Sequence, residues 1–129
     1  MHTQELFQAT ARKAAREEQI AALKTALFLP EDMIAKCETY REAVQLAWQQ
    51  RRPAALTKAS LAAACGVHAP HMTQFTHLSA RDEKGKRRGD LPAGKVTAFE
   101  AAVGNRAISQ WFNRHARLTI MEELMAARA

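Results

Sequence analysis

The sequence is poor in residues that interrupt helices. Five glycines and four prolines occur among 129 residues, whereas alanine, leucine, glutamate, glutamine, lysine and arginine are plentiful. The plentiful side chains lose little conformational freedom in a helix. Valine, isoleucine, tyrosine and threonine are too scattered to form strands. The composition therefore predicts an all-α protein, and the length suffices for one hydrophobic core.

The sequence also lacks long hydrophobic runs and is poor in cysteine. Its longest apolar stretches, such as AALKTALFL, are short and interrupted by charge, so we expect no membrane-spanning helix. Residues 1–19 lack the apolar segment of a signal peptide. Cys37 and Cys65 lie in alanine-rich, helical surroundings, where small buried thiols are common. These features predict a reduced, cytoplasmic protein.

Motifs for catalysis are missing as well. The serines Ser60, Ser79 and Ser109 do not lie in a G-x-S-x-G elbow, and the sequence has no glycine-rich phosphate loop. We therefore expect the protein not to be an enzyme and to use no cofactor.

Positive charge is concentrated in the second part of the chain. The net charge is +6. Residues 1–50 contain 6 Lys and Arg against 7 Asp and Glu, whereas residues 51–129 contain 13 against 6. A basic region beside a near-neutral one is the electrostatic pattern expected of a protein that binds nucleic acid.

Helix start and stop signals divide the chain into six predicted helices. They cover about 3–28, 31–50, 57–64, 69–78, 90–103 and 106–127. The first has only an interrupted apolar seam, formed by Leu6, Ile20, Leu23 and Leu27. That helix is therefore either an exposed helix packed loosely on the domain or a coiled-coil dimer arm.

The most informative stretch is KASLAAACGVHAPHMTQFTH, residues 58–77. Ala62 is small enough for two helices to cross closely, and Gly66 can adopt the left-handed conformation that ends a helix. The residues expected to face a shared core are Leu61, Cys65, Val67, Met72 and Phe75. The stretch therefore predicts a helix-turn-helix whose second helix keeps a polar outer face.

Residues 31–104 resemble the DNA-binding domains of Cro and CI-type phage repressors, the lambda-repressor-like family. The resemblance lies in a first helix that ends in Arg51-Arg52, in the later segment LPAGKVTAFEAAVG, and in the core pattern Leu61, Ala62, Gly66, Val67, Met72 and Phe75. It implies a compact helical bundle around a central helix-turn-helix. On this basis we expect a DNA-binding domain at 30–105, an arm or oligomerisation helix at 1–29, and a dimerisation helix at 106–129.

In this family the second helix of the motif enters the major groove of DNA. The resemblance implies that six residues read bases: His68, Ala69, Pro70, Thr73, Gln74 and His77. Gln74 is the strongest candidate, because glutamine pairs bidentately with adenine. His71, at the edge of the exposed face, is expected to reach only the DNA backbone.

Further backbone contacts are expected outside this helix. Thr57 can cap its helix, hydrogen-bond a phosphate, or do both. The segment 79–90 is longer than the link usual in the family, and we expect a polar loop there. Its cations Lys84, Lys86, Arg87 and Arg88 are well placed to neutralise phosphates.

The cluster Cys65, His68, His71 and His77 invites a metal-site interpretation. We reject it, because an inward Cys65 cannot converge with outward histidines and the spacing lacks the paired ligands of zinc sites.

These observations predict a transcriptional regulator, a repressor that acts by occupying an operator in double-stranded DNA. A single such helix reads few base pairs, so we expect a homodimer on a palindromic site. Residues 106–127 are the preferred interface, and the N-terminal helix is the other candidate. The alternative function is a protein-interaction module, such as an antitoxin or a phage-encoded adaptor, in which DNA binding is secondary.

Overall fold

The computed structural model describes residues 2–128, which form seven α-helices and one 3-10 helix. In chain order these are α1 His2–Thr25, α2 Glu31–Ala35, α3 Tyr40–Gln49, α4 Lys58–Cys65, α5 Ala69–Thr76, a 3-10 helix Ala93–Lys95, α6 Val96–Val103 and α7 Ala107–Arg128. The all-α prediction is confirmed. Met1 and Ala129, the outermost residues of the predicted terminal segments, lie outside the described residues.

A single hydrophobic core lies among α2 to α7. It consists of Ile34, Val44, Ala47, Leu61, Ala62, Cys65, Met72, Leu91, Phe99, Val103, Ala107 and Ile108. Helix α3 packs against α5 and α7, and α4 packs against α5 and α6. The residues predicted to face the core from the helix-turn-helix are buried or half-buried, as expected.

The predicted helix over 31–50 is wrong, because the chain forms two helices there, α2 and α3. Thr39 is the N-cap of α3, and its side chain accepts a hydrogen bond from the Glu42 backbone N–H at 3.2 Å. The Glu42 carboxylate in turn accepts from the Glu38 N–H at 2.8 Å. This pair of bonds satisfies backbone donors at the start of α3 and thereby fixes the break.

Gly104 ends α6 in a conformation that only glycine adopts without strain. Its φ is +74°, and a Cβ at this position would lie 2.6 Å from the Arg52 carbonyl oxygen. The close approach joins three segments, because the Leu27 N–H donates to Gly104 O at 3.0 Å and the Arg52 N–H donates to Val103 O at 2.7 Å. This junction anchors the end of α1 and the end of α3.

Buried polar side chains hold the same region together. Asn105 is fully buried and donates to the carbonyl oxygens of Ala47 at 2.9 Å and Gln50 at 3.2 Å. Gln110 accepts from the Leu29 N–H and donates to Leu29 O, both at 2.9 Å. These bonds fix the start of α7 against α3 and against the segment after α1.

The two long terminal helices extend beyond the core. Every residue over 4–18 of α1 and over 115–128 of α7 is exposed. In the seam predicted for α1, Leu23 is half-buried, whereas Leu6, Ile20 and Leu27 are exposed. Within the described residues, no helix is long and apolar enough to cross a membrane.

Candidate nucleic-acid interface

The helix-turn-helix is formed by α4, a three-residue turn and α5. Gly66 follows α4 with a φ of +68°, the left-handed conformation predicted for it. Pro70 lies in the first turn of α5, where its missing N–H is not needed. Met72 and Thr76, one turn apart, are buried and fix α5 to the core. The remaining face of α5 is therefore directed away from the core.

Five of the six predicted base-reading residues are exposed on or beside this face. They are His68, Ala69, Pro70, Thr73 and His77. The sixth, Gln74, is half-buried. The Thr73 hydroxyl donates to Ala69 O at 3.2 Å, and His77 Nδ1 accepts from the Ser79 N–H at 3.0 Å. The helix thus presents a polar surface, with Gln74 at its inner edge.

The histidines of this surface lie apart from Cys65. The ring centroids of His68 and His71 are 5.7 Å apart in an edge-on arrangement, and both side chains are exposed. Cys65 is buried, and burial raises the pKa of its thiol to about 11, although Lys95 acts in the opposite direction. Among the described residues, no three or more histidine, cysteine, aspartate or glutamate side chains form a group that could hold a metal ion.

Thr57 caps α4, as predicted. Its hydroxyl oxygen accepts from the Ser60 N–H at 3.1 Å and is exposed to solvent. The cap leaves the hydroxyl at the surface, so its contact with a phosphate stays a prediction.

The segment predicted to be a loop folds into a short hairpin, residues 80–88. A single antiparallel bridge pairs Arg81 with Arg87. At the tip, Asp82 Oδ1 accepts from the backbone N–H groups of Lys84 and Lys86, both at 2.9 Å. Gly85 turns the chain with a φ of +79°. The segment therefore has a defined conformation rather than that of an open loop.

A buried arginine joins the hairpin to α5. Arg41, on α3, is 7% exposed, and its two terminal nitrogens lie 2.7 to 3.2 Å from five acceptors. The acceptors are the carbonyl oxygens of Gln74, His77, Arg88 and Gly89 and a carboxylate oxygen of Asp90. Arg41 thereby satisfies carbonyls at the C-terminal end of α5 and fixes the base of the hairpin beside that helix.

Arg41 was not among the residues predicted for the site. A signal for it exists, because Arg41 precedes Val44 by three residues and Trp48 by seven, which places it on the inward side of α3. A charged residue at an inward position has to find partners. The identity of those partners, 33 to 49 residues further along the chain, is not encoded locally.

The four predicted phosphate-binding cations fall into two groups. Lys84, Lys86 and Arg87 are exposed, and Arg87 Nη2 lies 3.4 Å from an oxygen of Asp90. Arg88 is half-buried, and its Nη1 donates to Gln74 Oε1 at 3.1 Å. The structure therefore brings Arg88 into contact with α5, while the other three remain solvated on the hairpin.

Comparisons with protein-family models, with curated proteins and with solved structures find no match for this chain. The functional argument consequently depends on the geometry of the chain itself.

Proposed function

We propose that the protein is a sequence-specific regulator that binds double-stranded DNA and acts by occupying an operator, as a repressor and without chemistry. The observation that supports this most is the placement of the exposed face of α5 directly beside the basic hairpin, with both fixed by Arg41. A recognition helix needs such a fixed orientation if base contacts are to be reproducible.

The two surfaces suit different parts of DNA. Thr73 and Gln74 carry hydrogen-bonding groups of the kind that read base edges in the major groove. Lys84, Lys86 and Arg87 carry exposed positive charge, which suits the phosphates. The overall excess of basic residues after position 50 adds attraction to a polyanion.

The regulator is proposed to act as a homodimer through α7. The part of α7 beyond the core exposes apolar side chains at helical spacing, namely Leu118, Ile120, Met121, Leu124 and Met125. Residues 4–18 of α1 offer only Leu6 and Phe7 among large apolar residues. A dimer would place two copies of α5 on the two halves of a palindromic site, in the cytoplasm and on the nucleoid.

Selection of bound sequences from random duplex DNA tests the proposal. We expect an enriched palindromic motif. The logarithm of the association constant should fall linearly with the logarithm of the salt concentration, with a slope of about −0.9 for each phosphate contacted. Replacing Lys84, Lys86 and Arg87 with alanine should weaken all sequences together and flatten this salt dependence. Weak binding without an enriched motif and without salt dependence would contradict the proposal.

The exposed terminal helices favour a second candidate, a protein-interaction module of the antitoxin or adaptor type. In that case α1 and α7 would bind another protein, and DNA binding would be secondary. A variant lacking the exposed face of α5, with Thr73 and Gln74 replaced by alanine, separates the two. It should abolish selective DNA binding in a regulator and leave the interaction of a module intact.

A further inference from the structure

Arg88 is the hairpin cation whose side chain contacts α5. Its N–H donates to Ala80 O at 2.8 Å, and its carbonyl oxygen accepts from Arg41 Nη2 at 3.2 Å. Among the five basic residues of 80–88, it alone is half-buried. Both the backbone and the side chain of Arg88 are therefore oriented before any DNA arrives, which lowers the entropy cost of using the side chain in recognition.

The contact between Arg88 and Gln74 defines the orientation of the glutamine amide. An arginine side chain has only donors, so the amide atom that faces Arg88 Nη1 at 3.1 Å must be Oε1. Arg88 Nε is buried, and Nη2 makes no hydrogen bond within the described residues. The guanidinium is thus held at one side by Gln74 and keeps donors on its terminal nitrogens for another acceptor.

The contact between Gln74 and Arg88 makes the two side chains better suited to guanine than to adenine. A glutamine that reads adenine uses both its oxygen and its nitrogen, and here the oxygen is engaged by Arg88. A planar guanidinium instead matches the two acceptors O6 and N7 of guanine, the commonest specific arginine contact. Lys84 and Lys86 have long, exposed side chains that no contact with α5 orients, and these suit phosphates.

We propose that Arg88 reads a guanine in each half-site and that Gln74 is a positioning residue that holds the Arg88 guanidinium. This inference rests on the proposed DNA-binding function and names the base pair that one part of the surface recognises.

The test is base selection with the full chain and five variants. Arg88→Ala and Arg88→Lys should each lower the preference for one guanine per half-site by about tenfold or more. Arg88→Lys should keep the affinity for unselected DNA, since it retains the charge. Arg87→Ala, at the neighbouring and exposed arginine, is the matched control; it should weaken all sequences equally and leave the guanine preference intact.

The two Gln74 variants test its positioning role. Gln74→Glu still offers an oxygen to Arg88 and should retain the guanine preference, whereas Gln74→Ala should reduce it. If Gln74 itself read adenine, the selected motif would contain an adenine in each half-site. Gln74→Glu would then abolish the preference for that adenine and Arg88→Ala would leave it unchanged, which would overturn the inference. A wild-type protein that selects no motif would instead contradict the proposed function, so the two failures are distinguishable.

Discussion

The core of the molecule and the outer parts of its terminal helices differ in the contacts that their side chains make. In the core, Arg41, Asn105 and Gln110 each bond to segments far away in sequence. Over 4–18 and 115–128, every side chain is exposed, and several of them are large and apolar. The difference separates residues that determine folding from residues that are available for association.

The largest effect in this comparison is expected at Arg41. Arg41→Ala removes the donor shared by Asp90 Oδ1 and four carbonyl oxygens, and Asp90 keeps only the longer contact with Arg87. The free energy of unfolding should therefore fall by about 3 kcal/mol or more. Denaturant titration measures this. Arg16→Ala, at an exposed position on α1, is the control and should change stability by less than about 0.5 kcal/mol. Equal effects of the two substitutions would contradict the distinction between core and terminal helix.

Two glycines with similar positive φ angles, Gly85 and Gly104, offer the next test. Gly104→Ala combines the strain of a positive φ with a Cβ only 2.6 Å from Arg52 O, and should cost about 3 kcal/mol. Gly85→Ala has a similar φ but open space around its Cβ, and should cost about 1 kcal/mol. If thermal unfolding shows the same loss for both, the close approach at Gly104 contributes nothing to stability.

Substitutions on α7 should change association and leave the fold of the subunit intact. Replacing Leu118, Met121 and Met125 with glutamine removes exposed apolar surface, so sedimentation equilibrium should show the proposed dimer of the wild-type chain converted to a monomer with unchanged helical content. The control replaces Leu6 and Phe7 of α1 with glutamine and should leave the dimer intact. If only the α1 variant dissociated into monomers, the interface would lie on α1 and the proposal for α7 would be contradicted.

The smallest effect concerns alkaline pH and is confined to the core. Burial, followed by the carboxylates of Asp90 and Glu100, raises the pKa of Tyr40 from 10 to about 12. The protonated phenol, which donates to Leu91 O at 2.8 Å, is therefore favoured by folding. Its contribution to stability should be complete below pH 10 and lost as pH rises through 12. Tyr40 is the only tyrosine, so tyrosinate absorbance follows it directly; an apparent pKa near 10 in the folded protein would contradict this.

The helix-turn-helix was predictable because its signals are local. Thr57 caps the start of α4, Gly66 ends α4 in the left-handed conformation, and Pro70 lies in the first turn of α5. The break between α2 and α3 was missed, although Thr39 and Glu42 have the spacing of a capping box. Ile34, Cys37, Val44 and Trp48 recur at roughly helical intervals across the break, and this spacing is typical of one continuous helix.

The support of the candidate interface was not predictable in the same way. Arg41 is joined to the end of α5 and to the base of the hairpin by bonds that span 33 to 49 residues, and no local pattern specifies such partners. The contact of Arg88 with Gln74 likewise depends on where the hairpin lies. The residue types of α5 and of residues 80–88 were enough to predict the candidate surface. Tertiary contacts decide that Arg88 and Gln74 are its pre-oriented side chains.

Hydrogen exchange of the protein with and without its selected duplex tests the central claim most directly. We expect DNA to slow backbone exchange in α5 and in residues 80–88, where the proposed base and phosphate contacts lie. Residues 4–18 should exchange at the same rate in both states. Protection confined to the terminal helices, with α5 unchanged, would contradict the account.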